Sequence, residues 1–190
     1  TQGLKACVKI TDELNQASNS LQVQTGATDE EMEGLNESLK NIYASNYGES
    51  FEDIAEAMAQ VKGQTNLAGQ ELENATINAL ALRDAFGYDV TESTRAADML
   101  MTQFGMSADE AFNLITQGFQ NGLDQNGNML DVINEYSVHF KQLGFTAEEM
   151  FNMVSNGAET GVFDVDKLGD ALKEFGIRAK DGSNTTIEAY

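Results

Sequence analysis

The sequence predicts an all-α fold, an array of short helices and helical hairpins with an internal repeat of about 39 residues. Three observations predict it. First, the 190 residues include no proline, where average usage near 5% would give roughly ten; an interior proline costs a helix about 3 kcal/mol. Second, the stretch from Gly105 to Val138 is written twice: shifted by 39 positions, GMSADEAFNLITQGFQNG lies over GFTAEEMFNMVSNGAETG without a gap. Gly105, Ala108, Glu110, Phe112, Asn113, Gly118 and Gly122 fall on Gly144, Ala147, Glu149, Phe151, Asn152, Gly157 and Gly161. Further on, Ile133, Tyr136 and Val138 meet Leu172, Phe175 and Ile177, and Asp131 and Glu135 meet Asp170 and Glu174. A period near 40 residues is that of a two-helix unit in helical repeat proteins. Third, one phrase (glycine, apolar residue, capping residue, two others, acid) recurs at Gly87, Gly105 and Gly144, and no segment alternates as a strand does.

From Leu4 to Leu21 the apolar positions Leu4, Cys7, Val8, Leu14, Ala17 and Leu21 approach a heptad seam diluted by Thr11 and Ser18, as at the end of a longer helix. After a break at Gly26, Thr28 and Glu31 have the spacing of a capping box, in which the hydroxyl accepts from the third amide and the carboxylate reaches back; Met32, Leu35, Leu39 and Ile42 form the stripe behind it. Ser45 to Gly48 ends that helix, and Ser50 with Asp53 starts the next on Phe51, Ile54, Ala55, Met58 and Val61. The stretch from Gly63 to Gly69 reads as a break. Leu72, Ala75, Ala79, Leu82 and Phe86 predict a helix of about fifteen residues, and a helix over 92–104 turns Ala96, Ala97, Leu100, Met101 and Phe104 inward.

In the repeat, Ala108, Ala111, Phe112, Ile115 and Phe119 recur at steps of three and four, as do Ala147, Met150, Phe151, Val154 and Ala158. Ser107 with Glu110, and Thr146 with Glu149, are capping boxes. Gly118, Gly122 and Gly127, with Asn121, Asn126 and Asn128, are read as the end of the first of these helices. The following helix enters through Asn128 as its cap and carries Ile133, Tyr136, Phe140 and Leu143; in the second copy Asp164 or Asp166 would cap Leu168, Ala171, Leu172 and Phe175. The expected division is 1–24, an N-terminal helix; 25–104, a helical subdomain; 105–180, the two-copy hairpin repeat; and 181–190, a loop or the start of a further unit. A chain opening on TQGLKACVKI is expected to be a piece of something longer.

Chemistry is sparse. With 31 acidic and 11 basic side chains the net charge is -20, which argues against direct nucleic-acid binding, where lysine and arginine neutralise phosphates. No apolar run is long enough to span a bilayer, so no membrane contact by this segment is expected. Cys7 is the single cysteine and excludes an intrachain disulfide; with the single histidine, His139, it could form a dyad, but neither sits in a nucleophile or metal motif. Phosphate-loop, H-E-x-x-H, G-x-S-x-G and paired-cysteine patterns are absent. The one ligand-like run is Asp124 to Glu135, where Asp124, Asn126, Asn128 and Glu135 take places 1, 3, 5 and 12 of a calcium loop. The required glycine is misplaced, however: Gly127 is at place 4 and Met129 at place 6. The second copy offers Phe163, Val165 and Lys167, and the run reads as a polar turn. The eight methionines, among them Met32, Met58, Met101 and Met150, read as core filler. No catalytic, cofactor or metal residues are assigned, and no enzyme activity is expected.

Taken together, TGATDEEMEGL, YGESFEDIAEAMAQV, ALALRDAFGYDVTESTRAADMLMTQFGMSADEAFNLI and VDKLGDALKEFGIRAKDG resemble the core region of phage tail tape measure proteins, over about Thr25 to Gly182. The resemblance implies a virion structural protein of a phage or prophage, acting in tail assembly and tail length determination. It implies as partners the tail tube and the tail initiator and assembly chaperone proteins, with several copies in the tube and assembly in the host cytoplasm, and it carries no catalytic residues. A ruler should be a rod, and 190 residues in one helix would span roughly 280 Å; glycine turns every 12 to 20 residues or so instead predict a compact module that folds back on itself. A helical repeat scaffold for protein–protein interaction shares the 39-residue period and stays open. A wall-cleaving enzyme would need a glutamate in a cleft or a Cys/His pair.

Overall fold

In the computed structural model, which describes residues 2–124, 127–159 and 165–180, the described chain is all-α, with nine helices and no strand. These are α1 (Gln2–Thr25), α2 (Asp29–Ala44), α3 (Phe51–Thr65), α4 (Gly69–Phe86), α5 (Val90–Phe104), α6 (Ala108–Gln120), α7 (Met129–Gln142), α8 (Ala147–Glu159) and α9 (Val165–Lys180). The chain divides into two compact units, Thr1–Thr94 and Arg95–Tyr190.

In the first unit α1 packs along α3, and α2, α3 and α4 pack on one another. Helix starts follow the sequence signals. Thr28 accepts from the Glu31 amide at 3.3 Å while the Glu31 carboxylate accepts from the Thr28 amide at 2.8 Å, and Ser50 accepts from the Asp53 amide at 3.2 Å. The core holds Ala17, Leu21, Leu39, Ile42, Ile54, Met58, Val61, Leu72 and Leu80. Burial along α1 rises from exposed Ile10 through half-buried Leu14 to fully buried Ala17 and Leu21; the expected contributions of Leu4, Cys7 and Val8 lie outside the described side chains. Two expectations are corrected. Gly63 lies inside α3, which runs on to Asn66 in a left-handed cap at φ 57°. Phe86 is exposed, because it is the last residue of α4 and the chain turns away at Gly87, φ 81°.

In the second unit α9 packs along α7 and against α8, and α8 also touches α6 and α7. The bounds of α6 and α8 are displaced by 39 residues, and both starts are capping boxes: Ser107 with Glu110, and Thr146 with Glu149, whose amide and carboxylate bonds measure 3.2 and 2.8 Å. Burial does not repeat in the second helices. Ile133, Tyr136 and Phe140 of α7 are buried, whereas in α9 Ala171 and Phe175 are exposed and Leu172 is half-buried. The expected inward stripe of α9 is therefore corrected: α9 meets α7 through glycine. A Cβ on Gly169 would run into the Tyr136 ring, and one on Gly176 would stand 3.4 Å from Leu143. Gly118 is also corrected. It lies buried inside α6, where a Cβ would meet Met129 Sδ at 2.6 Å and Phe151 Cε1 at 3.1 Å, so it allows close approach and does not end the helix. The helix ends instead before Gly122, φ 74°. Asp166 falls within α9 and is not its cap, and Asp164, Ala158 and the 181–190 tail lie outside the described residues or side chains.

Candidate functional site

The predicted turn before α7 has a structural use. Asp124 Oδ1 accepts from the Met129 amide at 2.8 Å, and the Gly127 amide donates to the Asp124 carbonyl at 3.0 Å. Asn128 holds the N-cap position without a side-chain cap bond, so the capping expected of Asn128 is supplied by Asp124, four residues earlier. The carboxylate at the first place of the calcium-like run thus serves a helix start; Asn126 lies outside the described residues. Among the described residues no group of three or more His, Cys, Asp or Glu could hold a metal ion.

His139 stands half-buried in the last turn of α7 and lines a cleft of about 180 Å³ with Gln142, Leu143, Gly176 and Ile177. Cys7, its candidate partner, lies in α1 outside the described side chains. Buried Glu73 accepts from Asn41 Nδ2 at 3.2 Å and Gln70 Nε2 at 3.4 Å. Asp53 is bound by Arg83, whose guanidinium, followed by the Glu49 amide, holds the carboxyl below the usual aspartate range. The Thr28 and Ser107 amides lower Glu31 and Glu110 in the same way, and burial raises Asp98.

A recess of about 640 Å³ lies in the first unit, with Glu13 of α1, Tyr43 of α2 and Glu49 and Glu52 at the start of α3 on its walls. Tyr43 stacks on Phe51 with ring centroids 4.0 Å apart and planes at 24°, and it remains 42% exposed. None of the described residues lining it is basic, and Lys9 Nζ stands 3.5 Å from Glu13 Oε1. An aromatic face among carboxylates attracts cations, while Glu49 and Glu52 also complement the positive end of the α3 dipole. Sequence reasoning missed this recess: the acids read as a helix start, and Tyr43 falls off the apolar stripe of α2. Among the described residues no helix is long and apolar enough to cross a membrane.

Comparison with known proteins relates the chain to phage tail proteins. The family model of the phage-related minor tail protein matches residues 41–190. A curated relative described as a probable tape measure protein, from Streptomyces phage phiC31, is 37% identical over 73 residues, or 38% of this chain. The match spans 10% of that relative's length. No solved structure matches the chain.

Proposed function

The chain belongs to the phage-related minor tail protein family, and on that premise we propose that it is a helical module of a tail tape measure protein, made of two compact units. A structural role in the phage tail follows from the membership. The finer reading is ours: the module acts in tail assembly and length determination, meets the tail tube, the tail initiator and the assembly chaperone proteins, and is assembled in the host cytoplasm. The observation that carries it is the family match across 150 of 190 residues, 41 to 190, joined to two units in each of which short helices pack on one another. That architecture supports a folded head or docking element and not a length of shaft. The charge of -20 suits a surface past which DNA slides without adhering.

In-frame removal of residues 25–180 from the encoding phage tests this. A shaft segment would shorten the tail by roughly 230 Å, at about 1.5 Å per helical residue. The module reading expects tails that fail to assemble, or assemble in low yield at unchanged length, by negative-stain microscopy. A proportionate shortening with normal yield would overturn it.

A further inference from the structure

The recess of the first unit is built by three helices around one aromatic ring. Tyr43 of α2 stacks on Phe51 of α3 with ring centroids 4.0 Å apart. Phe51 is buried and holds that ring in place, while Tyr43 itself stays 42% exposed on the recess wall. An exposed ring fixed by a buried one is a preformed platform, with little side-chain freedom left to lose when a ligand settles on it.

Three carboxylates surround the ring, from Glu13 on α1 and from Glu49 and Glu52 at the entry to α3, all of them exposed residues. The α3 terminus contributes about half a positive charge, which the full charges on Glu49 and Glu52 outweigh. Lys9 pairs with Glu13 at 3.5 Å, both side chains at least half exposed; such a contact is worth about 0–1 kcal/mol and leaves Glu13 open to exchange. The recess is therefore negative. It does not suit a metal ion, because among the described residues no three acidic side chains converge closely enough to hold one. The charges are spread round a space of about 640 Å³, within the roughly 300–1,000 Å³ of sites that take drug-sized ligands. A flat, delocalised cation fits such a place: a guanidinium stacks on an aromatic face and donates in a fork to carboxylates, whereas an ammonium is a compact, strongly hydrated point charge.

We propose that this recess is a docking site for an arginine-bearing segment of a partner protein, the guanidinium lying over Tyr43 and donating to Glu49 or Glu52, with Glu13 supplying negative charge from the α1 side. Charge complementarity selects the occupant. A second copy of the chain, itself at -20, is repelled by the same field that draws a basic segment in. The docking chemistry is independent of the tail assignment.

The test titrates the full chain at low salt with a short capped peptide carrying two arginines, followed by NMR of the Tyr43 ring and the Glu52 amide. The lysine twin of the peptide and putrescine, which carry the same charge, are the rival cations. The arginine peptide is expected to move both signals and to bind about three-fold or more tighter than either rival. Tyr43→Leu, which keeps apolar bulk against Phe51, should weaken it about five-fold, and the pair Glu49→Gln with Glu52→Gln about ten-fold, with helix content held by circular dichroism. If Tyr43→Leu loses helix, the glutamine pair decides. A charge-matched control, Glu30→Gln with Glu33→Gln on exposed positions of α2 outside the recess, should leave the affinity unchanged. Rivals that bind as tightly as the arginine peptide, or an equal loss in the control, would overturn the proposal, since the attraction would then be that of the acidic surface at large. So would binding that leaves the Tyr43 and Glu52 signals unmoved, or no binding at all.

Discussion

Arg83 grips Asp53 with both ends of its guanidinium: Nη1 donates to Oδ1 at 2.6 Å and Nη2 to Oδ2 at 3.0 Å. The last turn of α4 is thereby fastened to the first turn of α3, 30 residues away, with both side chains about three-quarters shielded from water. Arg83 Nε also donates to Asp84 at 3.0 Å, and Asp53 accepts from the Glu49 amide at 2.8 Å.

Replacing the clamp, Arg83→Met, should cost about 1–2 kcal/mol at neutral pH, the range for a charge-assisted pair that is neither deeply buried nor free. The pH dependence has a definite sign. Because Asp53 is lowered in the fold, its contribution is present above the ordinary aspartate pKa and disappears as pH falls through the lowered folded value. Urea unfolding should therefore separate the variant from the parent at pH 7 and bring them together in strong acid; an equal gap at both would show that the charge pair is not responsible.

Gly169→Ala should loosen α9 and little else. The new Cβ meets the rigid Tyr136 ring, which cannot yield as a flexible side chain would. Gly169 is the only buried residue among the described side chains of α9. Amide exchange in α9 should accelerate by about ten-fold or more while the α6 amides hold their protection. Protection unchanged in α9 would mean that the helix does not depend on this contact.

The helix-interior glycines should separate into two kinds. Nothing lies within 4 Å of a Cβ on Gly34 or Gly63, so Gly34→Ala and Gly63→Ala should each stabilise by about 0.5–1 kcal/mol through helix propensity. At Gly118, Met129 must swing aside and the Phe151 ring must shift. Gly118→Ala should return none of that gain, and Gly118→Leu should cost about 1–3 kcal/mol. Denaturant midpoints for the four variants give the order directly.

Removing the hydroxyl from a cap, Ser107→Ala, should cost about 1 kcal/mol. It should also weaken the response to acid, because the Ser107 amide and hydroxyl are what lower Glu110. In the parent this stabilisation is present above the ordinary glutamate pKa and lost as pH falls through the lowered one. An NMR titration of Glu110 that is the same in both proteins would contradict this account.

Much of the fold was legible because its signals are local. Thr28, Ser50, Ser107 and Thr146 cap the helices they were read to cap, and the stripes of α2, α3 and α6 are buried as spaced. The polar run at Asp124 was legible as a turn, but not that Asp124 would take the α7 cap from Asn128. The recess beside Tyr43 could not be read, since its walls come from α1, α2 and the start of α3.

Sequence alone marked where α2, α3, α6 and α8 begin, because a capping side chain acts within one turn of chain. It also determined the acidic surface and, through the order of its motifs, the family. Which faces meet is settled by packing between helices. Gly118, Gly169 and Gly176 look alike in sequence to Gly34 and Gly63, yet the first three let helices approach and the last two face open space. Phe175 and Tyr136 occupy equivalent places in the repeat, and one is exposed while the other is buried. A helix pattern fixes which side chains share a stripe; what lies against that stripe depends on another helix, tens of residues away.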